Sequence, residues 1–597
     1  MNKQTTHPST HPNWPLILIV LFLVSSILRG LAGDFPKALR IYPDELLYVS
    51  LGRSILHGQG LQVHNLDSNF QKILYSLCTI PAYLFRSTIT QIRTVGYINS
   101  LLVGSSVFPV YKLSHSLLGN NRKTGFILAF WVTLPTSLVS LYFMSEVTFL
   151  PLSLWLIYCV WSILCTETFS RKLGLNLVLG VLLYLAYLNK EIALYFLISY
   201  IVVCMARIIS APATRRQDII CLLVSVCTFF FCFLIMKALF FSGLSNPYTT
   251  SPLRNIGIFT DTAADTIAYL LYAAFHNTVM AILAFGVFPI LIPLAAFDRK
   301  NKESWLYLFL LLSLLIGCAA ISYKITLREE FGIRAPRQHL RYLEPLLIPF
   351  VILMISRSAD CRSRFRMLTV CPALFVTLFL VLGQGGGSAL IDNNTLVYYE
   401  FSARFLLKSD MLLLLVRTGM ALVFLLGLYI MYTRHDLFMR LFCILFFCLN
   451  VLNSGIGYLA CRYRYTITEE QRAQAFAANE YLQSLTGNIL LISGDGLEAE
   501  DNRLFDTYVD RNYYVTGLDL LEADGFLADA VLDLTSESVR CDYPYRYYED
   551  LDEIHYLVVK DSYGIHFQES SVEELTDFPL EGYRLYRNLA ETVVYFK

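Results

Sequence analysis

Residues 41–60 read IYPDELLYVSLGRSILHGQG, placing two adjacent carboxylates, Asp44 and Glu45, just after the first long apolar run of a mostly apolar chain. From Glu45 to His57, Leu47, Leu51 and Ile55 recur every four positions, and Gly58 and Gly60 end the run. That spacing predicts a short amphipathic helix lying along a membrane surface, with Pro43 and Asp44 at its start. Taken locally, Asp44 reads as a helix N-cap and Glu45 as a first-turn acid favoured by the helix dipole. A second surface helix is expected over 71–85.

The surroundings of this stretch are membrane-like. Of 597 residues, 55% are hydrophobic and 16% charged, and the formal net charge is zero, which gives no electrostatic case for a nucleic acid partner. Apolar runs of about 20 residues, separated by short polar breaks, match what a bilayer core of about 30 Å requires. About 13 spans are expected, at 15–32, 97–117, 125–143, 148–165, 173–188, 192–209, 218–241, 277–297, 304–322, 342–356, 367–384, 410–432 and 441–459. The first run lacks a small-residue cleavage site and reads as a retained helix. Most of the 14 cysteines sit in apolar segments as small hydrophobes; Cys461 and Cys541 fall outside them and are candidates for pairing.

Orientation follows from the basic loops. NNRK near 121, SRK near 171, ATRRQ near 214, DRKNK near 299, RSADCRSRFR near 358 and TRHDLFMR near 436 fall at alternate connections. One assignment puts all six inside, with the N-terminus cytoplasmic. The first external loop is then 33–95, and Glu146 (MSEV), Lys190 and Glu191 (LNKE) lie in tight external turns. The external segment RAPRQHLRY, 334–342, carries Arg334, Arg337, His339, Arg341 and Tyr342. Ionisable groups so close to hydrocarbon are costly and mark candidate functional sites. Each also has a plain reading: Glu146 as a helix-start residue after Ser145, and Lys190 as a cation snorkelling to headgroups beside Glu191.

The chain divides into a membrane region, 1–460, and an extracytoplasmic region, 461–597, in which about 27 acidic residues face about 11 basic ones and no run is long enough to span. A helix over EEQRAQAFAANEYLQSL followed by the β-type runs NILLISGD, ADAVLDL, HYLVVKD and TVVYFK predicts a small α/β domain. SGDG after a strand lacks the residues of a phosphate-binding loop and reads as a turn. His57, His64 and His339 form no recognisable metal constellation.

Sugar transfer with inversion needs a carboxylate to take the proton of the acceptor hydroxyl, and cations to stabilise a departing phosphate. Asp44 suits the first role; Lys190 and the arginines of RAPRQHLRY suit the second. An acidic pair in a large first external loop, Ser-Glu in FMSEVTFLPLSLWL, lysine in YLAYLNKEIALYF and the run RYLEPLLIP together resemble the C-type polytopic membrane glycosyltransferases. Within that group the chain is most similar to bacterial relatives of protein O-mannosyltransferases and aminoarabinose lipid A transferases. The resemblance implies a GT-C-like α-helical membrane domain and Asp44 as catalytic base. It implies a polyprenyl-phosphate sugar donor entering from the membrane, and an external glycan, lipid or protein acceptor. Glu45, Glu146, Lys190, Glu191, Arg337, His339, Arg341 and Tyr342 become candidate substrate-binding residues, with Lys190 nearest the donor phosphate. No cofactor is required; a divalent cation between Asp44 and Glu45 is conceivable because some relatives use one. The chain departs from the family in NFQKILYSLCTIP, 69–81, where a different motif is usual, which leaves the sugar open. The competing readings are a flippase or transporter of lipid-linked saccharides, whose charges belong near mid-bilayer, and a polysaccharide polymerase or ligase.

Overall fold

The computed structural model describes residues 12–40, 44–63, 66–67, 70–210, 214–241, 263–324, 340–359, 410–493, 502–511, 513–517, 532–533, 554–563, 565–567, 571–589 and 593–596. The expectations for His64, Arg334, Arg337, His339, Cys541 and the span 367–384 lie outside those residues.

Helix α1, Trp14–Ala32, opens with Pro15, whose fixed φ suits a first turn, and stops at Gly33. It packs on α4, Thr88–Ser105, through small residues. A methyl group added to Gly30 would lie 2.4 Å from the Tyr97 ring, and one on Gly104 would lie 2.1 Å from Ser26 Oγ. Close packing of this kind replaces the hydrophobic drive that lipid does not supply. Helix α7, Glu146–Cys165, is the most enclosed of the long apolar helices and forms the axis of the bundle. Around it stand α4, α5 (Val107–Leu118), α8 (Phe169–Asn189) and the helix Lys302–Lys324. Helices α9 (Leu194–Ser210) and α10 (Arg215–Phe240) flank α8. Gly180 lets the α8 backbone approach Ser225 of α10.

Among the described residues, seven helices are long and apolar enough to cross a membrane, or up to nine if each of two bent pairs is one span. Several expected spans are not single helices. The run 97–117 divides into α4 and α5 at Ser106, because Pro109 has no N–H to offer the Ser105 carbonyl. The run 125–143 divides into α6, Asn121–Thr133, and a 3-10 turn, Pro135–Leu141, at 44°. The run 277–297 turns through 95° between Ala284 and Phe288, where Gly286 and Val287 both adopt positive φ. A β-branched valine in that region is strained, and packing of the neighbouring phenylalanines holds it. The run 342–356 begins with two 3-10 turns, Leu340–Tyr342 and Glu344–Leu346, before the helix Leu347–Arg357.

The first loop forms helices where they were expected, α2 at Asp44–Leu56 and α3 at Leu74–Thr79 running into a 3-10 turn at Ile80–Leu84. The rest of the protein, however, covers most of α2. Nine of its residues are buried, Glu45 and Arg53 among them, because α3 covers one side and the C-terminal region another.

The C-terminal region is α/β, and the helix Glu469–Ser484 opens it with a capping box between Thr468 and Gln471. A five-stranded sheet follows in the order β4 (Tyr514–Gly517), β3 (Asn488–Ser493), β6 (Ile554–Lys560), β9 (Tyr583–Asn588), β8 (Val572–Glu574). Strand β3 pairs parallel with β4 and with β6, β9 pairs antiparallel with β6, and β8 pairs antiparallel with β9. The boundary expected at 460 falls inside one continuous helix, His435–Tyr465, which leads from the helical bundle into the C-terminal region. Cys461, inside that helix, is a buried free thiol.

Candidate active site at the helix ends

Loop residues 36–40 are clasped between the end of the 435–465 helix and the C-terminal region. Ala38 N–H donates to the Tyr465 carbonyl at 3.1 Å and Ile467 N–H to the Pro36 carbonyl at 3.1 Å. From the helix Arg503–Tyr508, the Thr507 hydroxyl accepts from Leu39 N–H at 2.9 Å and the Tyr508 hydroxyl donates to the Lys37 carbonyl at 2.9 Å. This fixes the chain four residues before Asp44.

Glu45 then locks the start of α2. Its carboxylate is wholly buried and accepts from Arg40 N–H at 3.0 Å, Phe143 N–H at 2.8 Å and the Tyr465 hydroxyl at 2.9 Å. Glu45, expected to bind substrate, thus has its carboxylate inside the core, where protein donors hold it. Among the described residues no group of three His, Cys, Asp or Glu is placed to hold a metal ion. Asp44, the first residue of α2, is half-buried and makes no hydrogen bond or ion pair among the described residues. Beneath Glu45, Lys37 is buried with its ammonium 5.2 Å from the centre of the Phe143 ring. Burial pushes that ammonium below its usual range, against the opposing pull of Cys461, Glu45 and Asp34.

Three residues beyond Phe143, Glu146 begins α7. Its carboxylate pairs with Lys190 and, at 2.8 Å, with Arg341 Nε, so one carboxylate serves two cations. Glu146, Lys190, Arg341 and Tyr342 are all more than nine-tenths buried. The Lys190 ammonium stands 4.4 Å from the centre of the Tyr342 ring, and Arg341 Nη2 donates to the Tyr342 hydroxyl at 3.0 Å.

The two hairpins meet here because Asn189 ties them. Its Nδ2 donates to the Ser145 carbonyl at 2.8 Å, and its Oδ1 accepts from the Thr148 hydroxyl at 2.6 Å. At Lys190 itself the backbone leaves the helix for an extended conformation, which turns the side chain off the α8 axis. The Tyr195 hydroxyl donates to the Tyr342 carbonyl at 3.0 Å and seats the 340–342 turn against α9.

Of the candidates within the described residues, Glu146, Lys190, Arg341 and Tyr342 converge in one cluster. Asp44 is joined to it through Glu45 and the 143–146 segment. Glu191 does not join: it lines a separate crevice with Gln71, Lys72, Tyr187 and Lys237. Sequence reasoning missed Asn189, Tyr465 and the backbone N–H of Phe143. Only Asn189 gave a signal, as a polar residue adjacent to Lys190 at the end of an apolar helix.

No protein-family model matches the sequence, and neither does any curated protein. Among solved structures, ArnT from Cupriavidus metallidurans, bound to undecaprenyl phosphate, aligns over 97% of this chain and 98% of its own, with 12% identity and a TM-score of 0.50. The Archaeoglobus fulgidus oligosaccharyltransferase aligns over 92% of this chain and 69% of its own, with 13% identity and a TM-score of 0.43. At such identities the likeness speaks of architecture alone. The chain has the C-type membrane glycosyltransferase fold.

Proposed function

We propose that the protein is a membrane glycosyltransferase that moves a sugar from a polyprenyl-phosphate donor to an acceptor outside the cytoplasm, with inversion. The observation that carries this reading is the cluster in which Lys190 and Arg341 share the single carboxylate of Glu146. Two cations held rigidly in a buried site are pre-organised for a phosphate that gains charge as it leaves. ArnT, which shares the fold, was crystallised with undecaprenyl phosphate, in keeping with a donor of that class.

In the proposed reaction Asp44 takes the proton of the acceptor hydroxyl, and the freed oxygen attacks the anomeric carbon. The bond from that carbon to the phosphate oxygen breaks, its electron pair stays with the phosphate, and Lys190 and Arg341 stabilise the charge. Attack opposite the departing phosphate inverts the anomeric centre. The clamp of Glu45 on α2 holds Asp44 in one position, as a general base requires.

The deciding experiment is transfer by membranes containing Asp44→Asn at wild-type abundance. The expected result is a loss of at least a hundredfold, in line with removal of a general base; retention of most activity would overturn the assignment. The same variant separates a transferase from a flippase, whose transport has no use for a base.

A further inference from the structure

The soluble domain and the first loop enclose a cavity of about 620 Å³. Arg53, His57 and Gln59, at the far end of α2 from Asp44, line one wall, while Gln483, Asp510 and Arg511 line another. The volume lies in the range of ordinary ligand sites. Both walls are fixed by the fold. Arg53 pairs with Asp510 Oδ1 at 2.8 Å and donates to the Val509 carbonyl at 3.2 Å, riveting α2 to the domain. Arg511 is held at 2.6 Å by the carbonyls of both Leu482 and Leu485.

Its charge is one-sided. Asp510 is the sole acid of the lining and is committed to Arg53, whereas among the described residues no carboxylate pairs with Arg86 or Arg511. Side-chain amides from Gln59, Asn479, Gln483 and Asn488 also line it, while that of Gln91 is bonded to Arg53, Asp510 and the Phe85 carbonyl. Amides offer donors and acceptors together, as a polyhydroxyl ligand requires. Phe85, 47% exposed at the rim, presents an aromatic face on which a sugar ring can rest.

We propose that this cleft is an acceptor subsite that takes an anionic glycan, a hydroxyl-rich chain carrying carboxylate or phosphate groups. The inference rests on the glycosyltransferase reading and specifies the acceptor class. Arg53 follows Asp44 by nine positions on one helix, about 14 Å along its axis, so one sugar cannot reach both. The acceptor is therefore an extended chain, gripped by the soluble domain while its end lies at Asp44.

The test uses the full chain in nanodiscs and measures binding of tetragalacturonate and of neutral maltotetraose. Tetragalacturonate should bind at least tenfold more tightly, weaken with salt, and lose at least tenfold in Arg86→Glu and in Gln483→Ala, while Arg86→Lys keeps most of it. The proposal is overturned if tetragalacturonate does not bind, if both sugars bind equally, or if Arg86→Glu binds within twofold of wild type. Competition by phosphatidylglycerol that abolishes sugar binding would assign the cleft to lipid and overturn it too. Undecaprenyl phosphate binding, compared between wild type and Lys190→Ala, is read in parallel. If it stays Lys190-dependent while the sugar fails, the acceptor inference alone falls; if it is lost as well, the glycosyltransferase reading falls with it.

Discussion

Glu45 accepts a hydrogen bond from the backbone N–H of Phe143 at 2.8 Å, across 98 residues of sequence. Through it the helix that begins with Asp44 and the segment that ends in Glu146 become one rigid piece. A wholly buried carboxylate with three protein donors is a fastening, and removing it leaves those donors without an acceptor. Glu45→Ala should destabilise the protein by about 3 kcal/mol. Glu45→Gln, which keeps one acceptor oxygen, should fold but lower kcat with little change in KM for the donor, because Asp44 loses its fixed position. Thermal unfolding in detergent and transfer kinetics check the pair. A rise in donor KM with kcat unchanged would return Glu45 to substrate binding.

Lys190 and Glu146 should behave differently from each other. Lys190→Ala removes a cation from the proposed phosphate site, and transfer should fall at least tenfold with weaker undecaprenyl phosphate binding. Glu146→Gln leaves two buried cations without their carboxylate, so its first effect should be on stability, by about 3 kcal/mol, with Lys190 and Arg341 free to drift. Lys190→Ala binding undecaprenyl phosphate as wild type does would remove the cluster from the donor site.

Lys172 and Asp218 provide a control distant from the chemistry. They pair, buried, near the first turns of α8 and α10, where Thr214 also donates to Asp218 at 2.9 Å. Asp218→Ala should cost about 3 kcal/mol by stranding the Lys172 charge, while kcat of the folded fraction stays within about twofold. An unfolding midpoint equal to wild type would show that the pair carries no stability.

Asp506 should make the C-terminal region pH-sensitive. Burial pushes its carboxyl from 3.8 up to about 7, against the hydrogen bond from the Tyr513 hydroxyl. Between about pH 4 and 7 the folded domain therefore keeps a proton that the unfolded chain has released, so its stability falls as pH rises through that window and levels off above it. The slope amounts to roughly 1.4 kcal/mol per unit of pKa shift. Thr507, next in the chain, holds the Leu39 N–H, so loosening here reaches the loop before Asp44. The protection factors of amides in the strand Ile554–Lys560, which remove the intrinsic rise of exchange with pH, should fall across that range in wild type and stay level in Asp506→Asn.

Some of this was legible in the sequence for definite reasons. Apolar runs and alternating basic loops must show in any polytopic chain, since lipid penalises every misplaced charge and unpaired backbone group. Glu146, Lys190 and Arg341 were conspicuous because ionisable groups beside hydrocarbon persist only with partners. The helix α2 was visible in its periodicity, but its burial was not: the same Leu47, Leu51, Ile55 spacing suits a headgroup layer or a protein interior. The broken runs at 97–117 and 277–297 escaped because composition sets apolarity, while Pro109 and the positive φ of Val287 set direction.

The sequence by itself determined that the chain is polytopic, that an α/β domain follows it, and which ionisable residues stand at helix ends. Those features depend on local composition and period, which a linear reading contains. Only the tertiary structure decided that Glu45 accepts from Phe143 N–H across 98 residues, that Glu191 lines a crevice apart from its neighbour Lys190, and that Arg53 meets Asp510 across 457 residues. Each of these depends on which buried donor finds which acceptor, and that pairing exists only once distant segments share one interior where unpaired polar groups are costly.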